Sequence, residues 1–186
     1  MSDRKLALFD MDGTLFDTAE VNFLSYHAAA SKLGYDIARD KFMEVFVGRN
    51  YRDFLSMFEI TSESDLQFIH GEKKRLYKSF LGKAKVNWAL LDIMSNMPGN
   101  YVKALVTTAS RENAMDILRE YHLENAFDFM ITQEDAARLK PDPQAYIMAM
   151  EKAGIDAAYT VIFEDSEVGI QAAEATGASI MQIRRF

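Results

Sequence analysis

The 186-residue sequence contains no cysteine, which excludes disulfide bonds, thiolate metal ligands and cysteine nucleophiles. Basic residues are in the minority: 21 lysines and arginines stand against 28 acidic residues, for a formal net charge of −7. Nucleic acids and anionic membranes attract basic faces, so we expect neither a nucleic-acid polymer nor a membrane as a partner. No apolar stretch of the sequence approaches the length of a membrane span.

The N-terminal sequence also lacks the long apolar region of a signal peptide. Because a chain without cysteine fits a reducing compartment, we expect a cytoplasmic protein. Hydrophobic residues make up 49% of the chain and charged residues 26%, which is ordinary for a globular protein with a sizeable core. The length suits one domain, or a core domain with an insertion, and leaves a monomer and a homodimer open.

Short apolar segments alternate with helical patterns along much of the chain. The segments are continuously apolar, as in strands of a parallel sheet that helices cover on both faces. The pattern predicts an α/β protein with a Rossmann-like core, in which a parallel sheet is flanked by helices. The candidate strands are residues 6–9, 102–106, 129–131, 160–163 and 179–183.

About ninety residues separate the first two of these strands, far more than an ordinary crossover requires. The pattern in this stretch is helical and contains no good strand candidate. We therefore expect a Rossmann-like core domain from residues 1–16 and 85–186, with an inserted α-helical domain over residues 17–84. Asp17 followed by Glu20 resembles a capping box for the first inserted helix. The predicted helices between the two strands are residues 18–33, 41–46, 51–58, 64–81 and 88–97.

Helix boundaries in the core are indicated by capping residues. Ser110 and Ser166 each precede a helical pattern and suit an N-cap. Asp142-Pro143 combines an N-cap acid with a first-turn proline, and Gly154 suits the end of that helix.

Two carboxylates two residues apart follow the first candidate strand. Asp10 and Asp12 are succeeded by Gly13, which permits a sharp turn, and by Thr14. Because side chains on an extended backbone repeat their direction every second residue, the two carboxylates project to the same side. Two like charges so close together favour a cation or a shared proton between them. The motif predicts a metal-assisted reaction centre, although a solvated loop can carry the same residues.

Polar side chains follow two further candidate strands. Thr107 and Thr108 come directly after one strand, and Glu164 and Asp165 end another. The carboxyl ends of parallel strands lie at one edge of the sheet, where such sheets bind ligands. We therefore expect these hydroxyls and carboxylates to lie near the first acid pair.

A lysine lies in a restricted stretch of backbone, Lys140-Pro141-Asp142-Pro143, and this restriction favours a positioned cation. Four carboxylates at one sheet edge would repel one another, and a divalent cation relieves that repulsion. In a chain with no cysteine and three histidines, oxygen ligands favour Mg²⁺ over zinc.

With these motifs in this order, the chain resembles the haloacid dehalogenase superfamily of phosphohydrolases, and is similar to its group of phosphoglycolate phosphatases and β-phosphoglucomutases. The resemblance spans residues 6 to about 183. It rests on Asp10-Met11-Asp12-Gly13-Thr14, on Thr107, on Lys140-Pro141-Asp142-Pro143, and on Glu164-Asp165 at the start of Glu164-Asp165-Ser166-Glu167-Val168-Gly169-Ile170. In that family the inserted helical domain is a cap.

The resemblance implies a role for each motif residue. Asp10 is the nucleophile that takes the phosphoryl group as an aspartyl-phosphate, and Asp12 is the general acid and then the general base. Thr107 and Lys140 hold the phosphoryl oxygens. Thr108, beside Thr107, is also expected to bind the substrate. The Mg²⁺ ligands implied are Asp10, the main-chain carbonyl of Asp12, Glu164 and Asp165.

The function implied is that of a Mg²⁺-dependent phosphatase, a phosphoric monoester hydrolase that acts on a small phosphorylated metabolite. Asn22 stands where the family's sugar-phosphate mutase has a histidine, which favours hydrolysis over a phosphotransferase or mutase reaction. A phospho-accepting signalling receiver and a non-catalytic binding protein are the non-enzymatic alternatives. Receivers, however, place their lysine after all the acids, whereas Lys140 precedes Glu164.

In the inserted domain, residues 48–52 are predicted to contact the substrate, because a glycine turn with Arg49 and Arg52 suits an anion. A plain helix connection with solvated arginines would carry the same residues. Asn22 is the third substrate-binding residue expected in this domain.

Overall fold

The computed structural model describes residues 4–46, 49–184 and 186, and these form two compact units. One unit contains the chain up to Asp17 together with the chain from Lys85 onward, and the other is Thr18–Ala84. None of the described helices is long and apolar enough to cross a bilayer.

The strands are β1 Lys5–Phe9, β2 Phe16–Asp17, β3 Lys85–Val86, β4 Tyr101–Val106, β5 Phe129–Ile131, β6 Thr160–Glu164 and β7 Ser179–Gln182. The α-helices are α1 Ala19–Ser31, α2 Arg39–Val45, α3 Tyr51–Ser56, α4 Glu63–Tyr77, α5 Trp88–Ser95, α6 Arg111–Glu120, α7 Gln144–Ala153 and α8 Glu167–Glu174.

The larger unit is built on a five-stranded sheet in the order β5-β4-β1-β6-β7, with every neighbouring pair parallel. Four residues of the central strand, Leu6 to Phe9, are fully buried. Burial on both faces explains why this strand is continuously apolar. Helices such as α7 and α8 pack on the sheet through Tyr146, Ala149 and Ala172. The predicted α/β, Rossmann-like fold is confirmed, and the five predicted strands agree with the observed ones to within one residue at each end.

The predicted helix caps in this unit are largely confirmed. The Ser110 side chain accepts a hydrogen bond from Asn113 N at 3.3 Å, and Ser166 accepts one from Gly169 N at 3.1 Å. Gly154 ends α7 in the left-handed conformation, with φ of +65°. The N-cap of α7 is Pro143 rather than Asp142, so this helix begins one residue later than predicted.

A small antiparallel ribbon was not predicted. β2 and β3 pair Phe16 with Val86 and Asp17 with Lys85. The expectation of no strand between the first strand and residue 102 is therefore wrong. Each partner is only two residues long and has no apolar run, so periodicity cannot reveal it.

The smaller unit is helical. Its core is formed by Phe42, Phe54, Ile69 and their neighbours, and α1 packs on α4. The predicted helix over residues 64–81 is divided into α4 and a 3₁₀ segment, Lys78–Lys83.

The predicted capping box at the start of α1 is wrong. The N-cap is Thr18, which makes no side-chain cap hydrogen bond. Asp17 belongs to β2 and pairs with Lys85 at 3.4 Å, while Glu20 binds Arg39 at 2.7 Å. These partners are 68 and 19 residues away along the chain, so tertiary contacts override the local capping pattern.

Candidate active site

The carboxyl ends of the central strands bring the predicted residues to one edge of the sheet. β1 lies between β4 and β6, and its register pairs Phe9 with Leu105 on one side and Phe163 on the other. The backbone N–H of Asp10 donates to Phe163 O at 3.0 Å, which extends the pairing one residue beyond β1. The chain order reverses between β1 and β6, and open α/β sheets bind ligands at such a point.

Lys140 reaches this edge from the segment between β5 and α7. Its Nζ lies 2.6 Å from Asp10 Oδ1 and 2.7 Å from Glu164 Oε2, and it donates to Val106 O at 3.4 Å. The Lys140 side chain is only 4% exposed. A buried ammonium thus joins two carboxylates that are 130 and 24 residues away in the sequence.

The turn after Asp10 supports a third carboxylate. Thr14 Oγ1 donates to Asp165 Oδ1 at 3.0 Å. Gly13 has a φ of +93°, and a Cβ atom on it would collide with the Asp165 carboxylate. A glycine is therefore required here both for the backbone conformation and for the close approach of Asp165.

Three carboxylates form a group with the dimensions of a cation site. Oxygens of Asp10, Glu164 and Asp165 all lie within 4.8 Å of one another. Among the described residues, Asp10 Oδ2 is the one buried side-chain polar atom with no hydrogen-bond partner. When all three carboxylates are ionised, their charge exceeds that of the Lys140 ammonium, so the group is short of positive charge. An oxygen-ligated divalent cation fits both the free oxygen and the charge imbalance.

The predicted fourth carboxylate is not in this group. The Asp12 side chain is exposed, whereas Asp10 is buried. The resemblance assigns only the main-chain carbonyl of Asp12 to the metal, and that assignment remains a prediction.

A family model described as a haloacid dehalogenase-like hydrolase matches residues 7–183. The chain belongs to this hydrolase family. The phosphorylated carbohydrates phosphatase of Thermotoga maritima is 30% identical over 176 residues, which cover 91% of this chain and 80% of that protein. The β-phosphoglucomutase of Bacillus subtilis is 26% identical over 183 residues, which cover 93% and 80%. The fold is shared with a HAD-superfamily hydrolase of Geobacter sulfurreducens, with a TM-score of 0.82 at 22% identity over 98% of this chain and 90% of that one.

Burial controls the electrostatics of the hydrolase's carboxylates. It raises the pKa of Asp10 to about 7, against the opposing effect of Lys140, and Glu164 raises it further. Burial likewise raises the pKa of Asp165 to about 6. With Lys140 as its cationic neighbour, Asp10 is thus only partly ionised at neutral pH, and an added cation would favour the charged form of both carboxylates.

Glu164 differs from the other two carboxylates because its lone pairs are already occupied. Oε1 accepts from Asp165 N, Ser166 N and Ser166 Oγ at 2.9 to 3.0 Å. Oε2 accepts from Lys140 and from the hydroxyl of Tyr146, the latter at 2.6 Å. Although burial opposes ionisation, Lys140 and these donors hold the pKa of Glu164 below its usual value. A carboxylate offers about four lone-pair positions, and five donors already share those of Glu164. A metal ion bound to Glu164 would have to compete with these donors.

Tyr146 is a site residue that the sequence analysis missed. It lies on the buried face of α7, where an aromatic residue reads as ordinary core. No local pattern around it indicates that its hydroxyl reaches Glu164.

The two predicted threonines differ in their surroundings. Thr107 is buried at the end of β4, and its Oγ1 accepts from Ala109 N at 3.0 Å. This bond orients the hydroxyl, which can also donate one hydrogen bond of its own. Thr108 is exposed.

The predicted substrate residues of the smaller unit have contacts inside that unit. Asn22 Nδ2 donates to Thr18 O at 3.0 Å. Arg49 donates to Val45 O at 2.7 Å, and Arg52 binds Glu63 at 2.6 Å. These contacts fix local structure, and the predicted substrate roles of Asn22, Arg49 and Arg52 remain predictions. Gly48, which belongs to the same predicted segment, lies outside the described residues.

Proposed function

We propose that this hydrolase is a Mg²⁺-dependent phosphatase that acts on a small phosphorylated metabolite through an aspartyl-phosphate on Asp10. The observation that carries the proposal is the buried carboxylate of Asp10, held by Lys140 through one oxygen while the other has no partner among the described residues. A fixed carboxylate with a free oxygen beside an ammonium suits attack on a phosphorus atom.

In the first step, a carboxylate oxygen of Asp10 attacks the phosphorus and the ester P–O bond breaks. The leaving alkoxide takes a proton from the carboxyl group of Asp12, so the products of this step are an alcohol and an aspartyl-phosphate. Lys140 offsets negative charge beside the reacting centre, and Thr107 supplies a hydroxyl donor to a phosphoryl oxygen. Thr108 is proposed to add a second hydroxyl contact.

In the second step, the Asp12 carboxylate removes a proton from water, and the water oxygen attacks the phosphorus. The bond between the phosphorus and Asp10 breaks, which releases inorganic phosphate and regenerates the Asp10 carboxylate. The exposure of the Asp12 side chain suits this exchange with alcohol and water.

The residues proposed to hold Mg²⁺ are Asp10, Asp165 and the main-chain carbonyl of Asp12, with Glu164 as the fourth predicted ligand. When bound, the cation would neutralise the charge of the phosphoryl group and of the clustered carboxylates.

The substrate class is proposed from the relatives. One is named a phosphorylated carbohydrates phosphatase and another a β-phosphoglucomutase, so we infer a sugar phosphate or a metabolite of similar size. We further propose that residues 17–84 act as a cap and that Asn22, Arg49 and Arg52 select the substrate. A cytoplasmic monomer or homodimer fits the acidic, cysteine-free chain.

A mutase of the same family is the second candidate, since one relative carries that name. The amide of Asn22 cannot exchange a proton as a histidine does, and this favours water over a sugar hydroxyl as the phosphoryl acceptor.

The proposal is tested by screening phosphorylated metabolites for phosphate release with Mg²⁺ and with a chelator. We expect Mg²⁺-dependent release by the wild type and a loss of at least about 1,000-fold in Asp10→Asn, which keeps the shape but not the nucleophile. Conversion of one sugar phosphate into its isomer without phosphate release would favour the mutase. Equal phosphate release by wild type and Asp10→Asn would contradict the proposed nucleophile.

A further inference from the structure

A buried tyrosine hydroxyl lies next to the proposed reaction centre without touching the reacting atoms. Tyr146 is fully buried, and its hydroxyl donates to Glu164 Oε2 at 2.6 Å. The same oxygen accepts from Lys140 Nζ at 2.7 Å. Glu164 is therefore the shared partner of the tyrosine and the lysine.

The aromatic ring of Tyr146 also contacts the lysine. Lys140 Nζ lies 4.9 Å from the centre of the ring, within the range of a cation–π interaction. The ammonium thus has Asp10, Glu164 and the ring around it, in a place with almost no access to water. Three fixed neighbours leave the ammonium little freedom to move.

Glu164 can hold this arrangement only if its own carboxylate is fixed. Its Oε1 is anchored by the backbone N–H groups that begin the turn before α8, and Tyr146 supplies the side-chain donor on Oε2. A Cβ atom at Gly169 in α8 would collide with the same carboxylate. Glu164 is thus confined between α7 and α8.

We propose that Tyr146 is a positioning residue: its hydroxyl fixes the Glu164 carboxylate, and Glu164 together with the Tyr146 ring holds the Lys140 ammonium against Asp10. The inference rests on the proposed phosphatase function.

The test compares two tyrosines that each donate to a carboxylate. Tyr146→Phe keeps the ring but removes the donor to Glu164. Tyr35→Phe makes the same chemical change in the smaller unit, where the Tyr35 hydroxyl donates to Asp65 at 2.7 Å. We expect kcat to fall about 10- to 100-fold in Tyr146→Phe, which is typical when a supporting contact of a site is lost. KM is expected to change less than about threefold, and Tyr35→Phe to behave as wild type.

Unfolding curves recorded at the assay temperature show whether each variant lies on its native baseline, so that a loss of kcat is not a loss of folded protein. The path through Glu164 is tested by repeating Tyr146→Phe in a Glu164→Gln background. If Tyr146 acts through Glu164, Tyr146→Phe should lower kcat less than about twofold in the Glu164→Gln background. Independent, multiplying losses would overturn the proposed path.

A measurement without substrate separates this inference from the proposed function. In protein labelled with ¹⁵N-lysine, the buried Lys140 ammonium should give a signal protected from water exchange, assigned by its disappearance in Lys140→Arg. We expect Tyr146→Phe to shift or broaden this signal and Tyr35→Phe to leave it unchanged. An unchanged signal in Tyr146→Phe, or wild-type kcat in that variant while Asp10→Asn is inactive, would overturn the inference. An inactive wild type would instead contradict the proposed function, and the NMR result would still decide the role of Tyr146.

Discussion

At the scale of single residues, the site depends on a balance between burial and charge. Asp10, Glu164 and Asp165 are brought together by the ends of the paired strands β1 and β6, and among the described residues Lys140 is the cation that forms ion pairs with the group. Burial raises the pKa of Asp10 to about 7, against the opposing effect of Lys140, and the charge of Glu164 raises it further. Steric contact adds a second constraint. A Cβ atom at Gly13 would occupy the space of the Asp165 carboxylate, so only glycine fits at this position.

Gly13→Ala is predicted to weaken the metal site. The new methyl group would displace the Asp165 carboxylate, and the φ of +93° would add backbone strain. We expect the Mg²⁺ concentration needed for half-maximal phosphate release to rise about 10- to 100-fold. Gly99→Ala is the matched control, because a Cβ atom there meets nothing within 4 Å. Unchanged Mg²⁺ dependence in Gly13→Ala would remove Asp165 from the proposed ligands.

At the scale of helices and strands, some N-cap serines and helix glycines make a specific contact, and others in the same kind of position do not. The Ser110 side chain caps α6, whereas Ser62 occupies the N-cap of α4 with no side-chain cap hydrogen bond. Gly169 in α8 faces the Glu164 carboxylate, whereas Gly71 in α4 has open space where a Cβ atom would be. These pairs provide internal controls for two predictions.

Ser110→Ala is predicted to lower the free energy of unfolding by about 1 kcal/mol, because the N–H of Asn113 loses its acceptor. Ser62→Ala should change it by less than about 0.5 kcal/mol. Denaturant unfolding of both variants measures the difference. Equal effects would show that the observed cap bond does not stabilise α6.

Gly169→Ala is predicted to destabilise the fold by about 1 to 3 kcal/mol, since Glu164 must move away from its donors to admit the methyl group. The same substitution at Gly71 should stabilise by up to about 1 kcal/mol through helix propensity. The two substitutions therefore have opposite signs in thermal unfolding. Stabilisation by Gly169→Ala would contradict the close contact with Glu164.

At the scale of the whole molecule, the main architecture could be predicted from sequence because the central strands are buried on both faces and read as continuous apolar runs. The short β2–β3 ribbon could not, since two-residue strands have no period. The prediction of a capping box at Asp17 was wrong because its acidic side chains form ion pairs with residues distant in sequence, such as Arg39. Asp10 and Asp165 could be predicted because they follow the ends of apolar strands. The role of Lys140 was predicted only through the family resemblance. No sequence pattern indicated that Tyr146 contacts the site.

We expect the folded molecule to lose stability in acid because of a partly buried histidine. In the smaller unit, burial and the nearby Lys74 and Lys73 lower the pKa of His70 from 6.5 to about 4. Its ring stacks on Tyr51 with centres 4.0 Å apart, and Nδ1 lies 3.1 Å from the Tyr26 hydroxyl. Between pH 6.5 and 4 the unfolded chain binds a proton that the folded chain does not, so stability falls as the pH is lowered through this range.

His70→Asn should remove this contribution. Because the ring is only partly buried, we expect it to amount to about 1 to 2 kcal/mol rather than the full linkage. The check is the difference in unfolding free energy between pH 7 and pH 4.5, measured in wild type and variant. Parallel pH dependences in the two proteins would contradict a neutral, partly buried His70.

Acid quench during turnover shows whether Asp10 carries the phosphoryl group as a covalent intermediate. The wild type is mixed with a ³²P-labelled sugar phosphate that the screen identifies as a substrate, quenched in acid, digested, and mapped by mass spectrometry. We predict one phosphoryl group on the peptide that contains Asp10, labile to mild base and absent from Asp10→Asn. Phosphate release with no label on that peptide, or label on a different residue, would show that Asp10 is not the nucleophile.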